Sequence, residues 1–287
     1  MSNTILETKN LTYVYAPKTA YELTAIKDVN LCIEQGELVG VIGHTGSGKS
    51  TLIQHFNAIL KASSGAVYVD GEDICKDKKS MRDVRFKVGV CFQYPEYQLF
   101  EETVYKDVAF GPKNMKLDEK EIDKRVKECI NYVGLNETYL EKSPFDLSGG
   151  EKRRVAIAGV MAMRPKILIL DEPCAGLDPK GRDTVLGLIK DYQKKTDSTV
   201  LVVSHSMEDI SKIASKVLVM NNSEVAFYDT VDNVFEHSDE LIKMGLNIPQ
   251  ITKLFLTLKE KGYDVKTNIY SLDSAKQELM KLLKGRI

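Results

Sequence analysis

Gly43-His44-Thr45-Gly46-Ser47-Gly48-Lys49-Ser50 fits the pattern G-x-x-x-x-G-K-[ST]. An apolar stretch, Leu38, Val39, Val41 and Ile42, runs into it, and Leu52, Phe56, Ile59 and Leu60 follow at i, i+4, i+7 and i+8. Strand, glycine-rich turn and helix in that order are the setting in which this pattern cradles phosphate. Glycines let successive N–H groups converge on phosphate oxygens, and the helix N-terminus adds partial positive charge. Lys49 supplies a point charge for β- and γ-phosphates, and the Ser50 hydroxyl suits Mg²⁺. The glycine spacing does not match the dinucleotide fingerprint G-x-G-x-x-G.

Downstream, Ile167, Leu168, Ile169 and Leu170 form a continuous apolar run ending in Asp171 and Glu172. Such a run marks a strand covered on both faces. Ligands of open α/β sheets bind at the carboxyl ends of strands, so both carboxylates are expected to face the crevice of the phosphate loop. Asp171 suits holding Mg²⁺, directly or through water, and Glu172 suits polarising an attacking water. Without the loop, the pair would read as solvated acids. His205 follows the apolar run Val200 to Val203 and falls at the same sheet edge. A lone histidine there is usually structural; beside a nucleotide it could hold a γ-phosphate.

The rest of the chain supports an α/β protein. Alternation at Leu11, Tyr13 and Tyr15, at Val29, Leu31 and Ile33, and at Val67 and Val69 gives half-buried strands within the first ninety residues. Residues 94–165 read as mainly helical, with Ile122, Val126 and Ile130 recurring every fourth position. Val185, Leu188, Ile189 and Tyr192 make an amphipathic helix, and two further strands flank a turn at Asn221-Asn222. Near the C-terminus lie two helical stripes: Ile251, Leu254, Phe255 and Leu258, then Leu279, Leu282 and Leu283.

Composition excludes several classes. Forty Lys+Arg against 41 Asp+Glu leave a net charge of −1, without the basic face that nucleic acid requires. The longest nearly apolar stretch, residues 155–163, contains Gly159 and falls far short of the roughly 18 residues that span a bilayer. The N-terminus lacks a basic region followed by an apolar core, so secretion is not expected. Cys32, Cys75, Cys91, Cys129 and Cys174 form no CxxC pair and read as small buried hydrophobes. The four histidines have no zinc-ligand spacing.

Leu147-Ser148-Gly149-Gly150-Glu151 lies between the phosphate loop and the acid pair and opens a helix. By composition it is a loop with an N-cap serine that can also form a second anion-binding turn. In that position it resembles the signature motif of ABC-transporter ATPases, whose motifs all occur in family order over about residues 5–240. The resemblance implies a P-loop NTPase cassette: an N-terminal antiparallel β subdomain, a RecA-like core and an inserted α-helical subdomain at about residues 94–165. It implies ATP and Mg²⁺ as cofactors, in a cradle running Gly43, His44, Thr45, Gly46, Ser47, Gly48, Lys49, Ser50 and Thr51. Tyr15 resembles the aromatic that stacks on adenine, and Gln93 the glutamine that contacts Mg²⁺ alongside Ser50 and Asp171. Glu172, His205 and Gln93 are then the catalytic group, and Asp178 belongs to the loop after the catalytic glutamate.

Pro95-Glu96-Tyr97-Gln98-Leu99-Phe100-Glu101-Glu102-Thr103-Val104 and Asp107-Val108-Ala109-Phe110-Gly111-Pro112 look like the energy-coupling-factor group, which drives vitamin and transition-metal uptake. Ile42 to Gly46, Lys142-Ser143-Pro144-Phe145 and Ile248-Pro249-Gln250-Ile251-Thr252-Lys253 are similar to the second of its two ATPase paralogues. The resemblance implies two chains paired head to tail, with Ser148, Gly149, Gly150 and Glu151 of one closing on ATP held by the other. A heterodimer with a second ATPase is favoured over a homodimer. The implied partners are a transmembrane coupling subunit and a substrate-binding membrane subunit, at the cytoplasmic side of the cell membrane. Residues 1–240 then form the cassette and residues 241–287 a helical tail, which either packs within the chain or contacts the second ATPase. Glu151 stands where glutamine is more usual, and its charge is expected to weaken nucleotide affinity at the shared site. Cys174 stands where threonine or serine is common. Translation-type relatives carry two cassettes and repair-type relatives long coiled coils, neither of which is present. Intact Lys49, Asp171, Glu172 and His205 argue against a regulatory module without turnover.

Overall fold

A computed structural model describes residues 3–270 and 272–284. The chain runs β1 (Thr4–Tyr15), β2 (Leu23–Glu34), β3 (Leu38–Gly43), α1 (Lys49–Phe56), β4 (Ser64–Val69), β5 (Glu72–Asp73), α2 (Lys78–Lys87) and β6 (Val88–Cys91). A helical stretch follows, with α3 (Val104–Asn114), α4 (Glu119–Tyr132) and α5 (Gly149–Met161). The alternating part returns as β7 (Ile167–Asp171), α6 (Pro179–Thr196), β8 (Thr199–Val203), α7 (Met207–Ile213), β9 (Lys216–Asn221) and β10 (Glu224–Thr230). The last elements are α8 (Val231–Glu236), α9 (Ser238–Lys243), α10 (Gln250–Glu260) and α11 (Leu272–Lys284).

Two sheets carry the site. An antiparallel sheet has the order β2-β1-β4-β5. The larger sheet runs β10-β9-β3-β8-β7-β6, parallel throughout except for the β9–β10 hairpin at one edge. Its central strands are buried on both faces, which explains their unbroken apolar sequences. Leu168 and Leu170 of β7 join the core under the helices, whereas Ile167 and Ile169 join the core between the two sheets. Phe56, fully buried in the second core, locks α1 against both sheets. Burial of a side chain that size contributes about 1.5–3 kcal/mol.

Three local readings differ from the sequence expectation. The helix after the phosphate loop ends at Phe56, because Ala58 takes a left-handed φ of 55° and turns the chain away. Ile59, on the extrapolated stripe, is accordingly exposed. Within the strand-rich first ninety residues, α2 is an added helix, capped by Asp77 accepting from the Ser80 N–H. Cys91, Cys129 and Cys174 are buried, but Cys32 is exposed and Cys75 half-buried.

The tail stripes fold onto each other. Phe255 packs with Val265, Ile269 and Ala275, flanked by Ile251, Leu258, Leu279 and Leu282. Thr252 donates to the Ile269 carbonyl at 2.6 Å, and Tyr270 hydrogen-bonds Asp232, tying this small core to α8. Leu254 and Leu283 of the same stripes remain exposed.

Candidate active site

The phosphate loop leaves β3 at the carboxyl edge of the parallel sheet, and β8, then β7, end beside it at the same edge. Gly48 precedes α1 with a φ of 103°, and a Cβ there would meet the Ala25 carbonyl oxygen at 2.4 Å. Only glycine fits both constraints. The first bond of the helix runs from the Leu52 N–H to the Gly48 carbonyl at 2.8 Å. The N–H groups of Lys49, Ser50 and Thr51 thus have no helical acceptor and stand at the positive end of the dipole. Ser47 is buried, and its carbonyl accepts from Ser223 N–H at 3.2 Å, in the turn between β9 and β10. Ser223 also binds the Thr24 carbonyl through its hydroxyl at 2.9 Å, so one distant turn pins the loop to β2.

Lys49 is buried, with its ammonium donating to the Gly43 and His44 carbonyls at 2.7 and 2.9 Å. Burial lowers its pKa, partly opposed by Glu172 and Asp171. Asp171 is buried at the end of β7, and burial raises its pKa against the pull of Lys49. Glu172 is held at a left-handed φ of 50°, with its N–H bonded to the Val203 carbonyl at 3.0 Å. Burial first, and the Asp171 charge second, push its pKa up to about 7. One oxygen, Oε1, is buried without a hydrogen-bond partner and lies 3.6 Å from the His205 Nε2. His205 is half-exposed at the end of β8, its pKa lowered by burial and by Lys49. A carboxylate poised near neutrality, on a strained backbone and with one oxygen unpartnered, is suited to take a proton from water.

Tyr15 ends β1 with its hydroxyl 3.3 Å from the Thr51 hydroxyl, placing an exposed ring beside the loop. His44 bonds the Thr45 carbonyl through Nδ1, and Ser50, Thr45 and Gly46 are open to solvent. Gln93 follows β6 at the same sheet edge and is exposed. Among the described residues no cluster of three His, Cys, Asp or Glu can hold a metal. Mg²⁺ needs only one or two protein oxygens beside phosphates and water, and the Ser50 hydroxyl and Asp171 carboxylate are oxygen donors of that kind.

The signature turn lies away from this crevice, at the start of α5. Ser148 caps the helix and shares a capping box with Glu151. Gly149 and Gly150 have no positive φ, and a Cβ on either would meet nothing within 4 Å. Asp178 caps α6 by accepting the Gly181 N–H at 2.8 Å.

One connection carried no sequence signal. Arg153, in the charged run after Glu151, is buried rather than solvated. It grips Glu96 with two bonds, at 2.9 and 3.1 Å, and also donates to the Pro173 and Ala175 carbonyls. It thereby joins α5, the turn after Gln93 and the loop after Glu172. Burial opposes ionisation of Glu96, but the Arg153 bond, a backbone hydrogen bond and the Arg153 charge together hold the carboxyl below its ordinary range.

Comparison with known proteins identifies the family. The ABC transporter family model matches residues 26–175. The Clostridium tetani energy-coupling factor transporter ATP-binding protein EcfA2 is 55% identical, over 98% of both chains. Among solved structures, cbiO1 of Clostridium perfringens, described as part of the ABC transporter complex cbiONQ, is 39% identical with a TM-score of 0.75. It covers 88% of this chain and 98% of its own. The ATP-binding cassette MJ0796, solved as a dimer bound to ADP and Pi, is 30% identical with a TM-score of 0.71, covering 79% of this chain and 99% of its own. The chain therefore belongs to the ABC transporter family and, within it, to the energy-coupling factor transporter ATP-binding proteins.

Proposed function

We propose that this ATP hydrolase drives uptake of a vitamin or transition-metal ion as the second-type ATPase of an energy-coupling factor importer. The observation that carries this reading is the meeting of Lys49, Asp171, Glu172 and His205 at one sheet edge, with Glu172 Oε1 unpartnered and the carboxyl pushed up to about 7. Residues 43–51 bind the phosphates, with Lys49 as the point charge, and Tyr15 stacks on the adenine. Ser50, Asp171 and Gln93 would hold Mg²⁺, which would neutralise phosphate charge there. Glu172 takes the proton of the attacking water, and His205 orients the γ-phosphate.

A single chain offers half of each site. The open space above Gly149 and Gly150 supports head-to-tail pairing, since glycine there leaves room for something beyond the chain. Ser148, Gly149 and Gly150 then close on ATP held by a second ATPase, favoured as a paralogue, with Asp178 in the adjoining loop. No described helix is long and apolar enough to cross a membrane, so uptake runs through membrane subunits that dock on this chain. The groove between α3 and α5 supports such docking. It has about 290 Å³ of space and includes Arg85, Phe100, Asp107, Phe110 and Met163. The Phe100 and Phe110 rings are both exposed and meet edge to face at 4.9 Å. One membrane subunit transmits the stroke and another selects the solute, at the cytoplasmic face of the cell membrane. Residues 1–240 act as the cassette, and the tail from 241 offers exposed Leu254, Leu272, Met280 and Leu283 to the second ATPase.

ATP turnover by the chain alone, then with a co-purifying ATPase, tests the reading. Turnover should rise steeply on pairing. Equal turnover per subunit in both states would remove the shared-site mechanism.

A further inference from the structure

Glu151 is half-buried, and its carboxylate is hydrogen-bonded within the chain through both oxygens. Its Oε2 accepts the Ser148 N–H at 2.8 Å and the Ser148 hydroxyl at 2.7 Å. Its Oε1 accepts the Tyr139 hydroxyl at 2.7 Å, from the short turn between α4 and α5. Bonds from the Ser148 hydroxyl, the Tyr139 hydroxyl and the Ser148 N–H hold this carboxyl down at about 2. It is an anion at any working pH.

A serine hydroxyl has one proton, and the proton of Ser148 is committed to Glu151. A phosphate oxygen arriving at Ser148 is an acceptor and needs that same proton. Closure therefore requires breaking a charge-assisted bond and bringing a phosphate beside a carboxylate that Tyr139 keeps from swinging away.

We propose that Glu151, anchored by Tyr139, is a positioning residue that brakes the signature turn by withholding the hydroxyl proton of Ser148 from a partner-bound nucleotide. This rests on the pairing proposed above, in which Ser148 faces ATP held by a second subunit. An amide at position 151 can still accept the Ser148 N–H, but it holds the hydroxyl by a neutral bond and adds no charge. The brake acts on association and not on nucleotide binding at Lys49, because neither Glu151 nor Tyr139 touches the phosphate loop.

The test uses the full chain carrying Glu172→Gln to stop turnover, mixed with its co-purifying ATPase or, where none co-purifies, with a second copy of itself. The readout is the ATP concentration giving half-maximal association by sedimentation. Glu151→Gln should lower it about fivefold, the difference between a charged and a neutral hydrogen bond. Tyr139→Phe should lower it less. Binding of a fluorescent ATP analogue to the unassociated chain should not change in either variant. A purely structural cap predicts the opposite, with weaker association and a lower Tm in both. An unchanged or raised ATP requirement for Glu151→Gln, with association intact, overturns the brake alone. Chains that bind ATP and never associate overturn the pairing and the brake together.

Discussion

The phosphate loop and the signature turn are both glycine-rich approaches to a helix N-terminus, yet they are built in opposite ways. At the loop, glycine is demanded from within, by a left-handed backbone and by the Ala25 carbonyl pressed against Gly48. Around it, Lys49, Asp171 and Glu172 are buried charges with perturbed pKa values. At the turn, Gly149 and Gly150 have ordinary backbone and open space, and the one anion, Glu151, has three donors. The loop's conformation is fixed by contacts within the chain. The turn is relaxed, and nothing within the chain requires glycine at 149 or 150.

The largest effect should come from breaking the strained side. Glu172→Gln should retain ATP binding and lose turnover by about a hundredfold to ten-thousandfold, the usual range for a general base, in a steady-state ATPase assay. Near-normal hydrolysis would move the proton acceptor elsewhere.

The strut between the two regions comes next. Arg153→Met leaves Glu96 in a mostly buried place without its cation, and chemical denaturation should show a loss of about 3 kcal/mol. Arg153→Lys should recover only part, because one ammonium cannot reproduce the paired guanidinium bonds.

The relaxed side should respond in the other direction. Gly149→Ala and Gly150→Ala should stabilise the isolated chain by about 0.5–1 kcal/mol, since alanine is the better helix former and has room here. The same variants should lose ATP-driven association. A drop in Tm would show that these glycines serve the fold.

A pH dependence comes last. With neither nucleotide nor Mg²⁺ present, burial and the Asp171 charge hold Glu172 at about 7, above the ordinary carboxyl value of 4.5. The folded chain thus binds this proton more tightly, and wild-type stability falls as pH rises between those two values. Glu172→Gln removes that loss. Its Tm should match wild type near pH 4 and exceed it at pH 8.

The fold and the loop-centred half of the site were legible because their signals are local. A buried parallel strand writes itself as an apolar run, and a phosphate loop as glycine, lysine and serine at fixed spacing. Joint occurrence with Ser148 to Glu151 made the family resemblance specific. Arg153, Glu96, Tyr139 and Ser223 were not legible. Arg153 sits in Glu151-Lys152-Arg153-Arg154, which reads as a solvated helix face, and nothing local says which cation turns inward. Tyr139 and Ser223 act on segments that only the folded topology brings near. The end of α1 was misplaced for a similar reason. Apolar residues continue at helical spacing, and only the left-handed Ala58 reveals that the chain has turned.

The bond from Ser223 to the Ser47 carbonyl has a consequence for synthesis. A ribosome delivers the phosphate loop early and the β9–β10 turn late, so the emerging cradle lacks its pin until most of the cassette has been made. The complete cradle, and with it the full nucleotide-binding geometry, is thus expected only in chains that have reached the far hairpin.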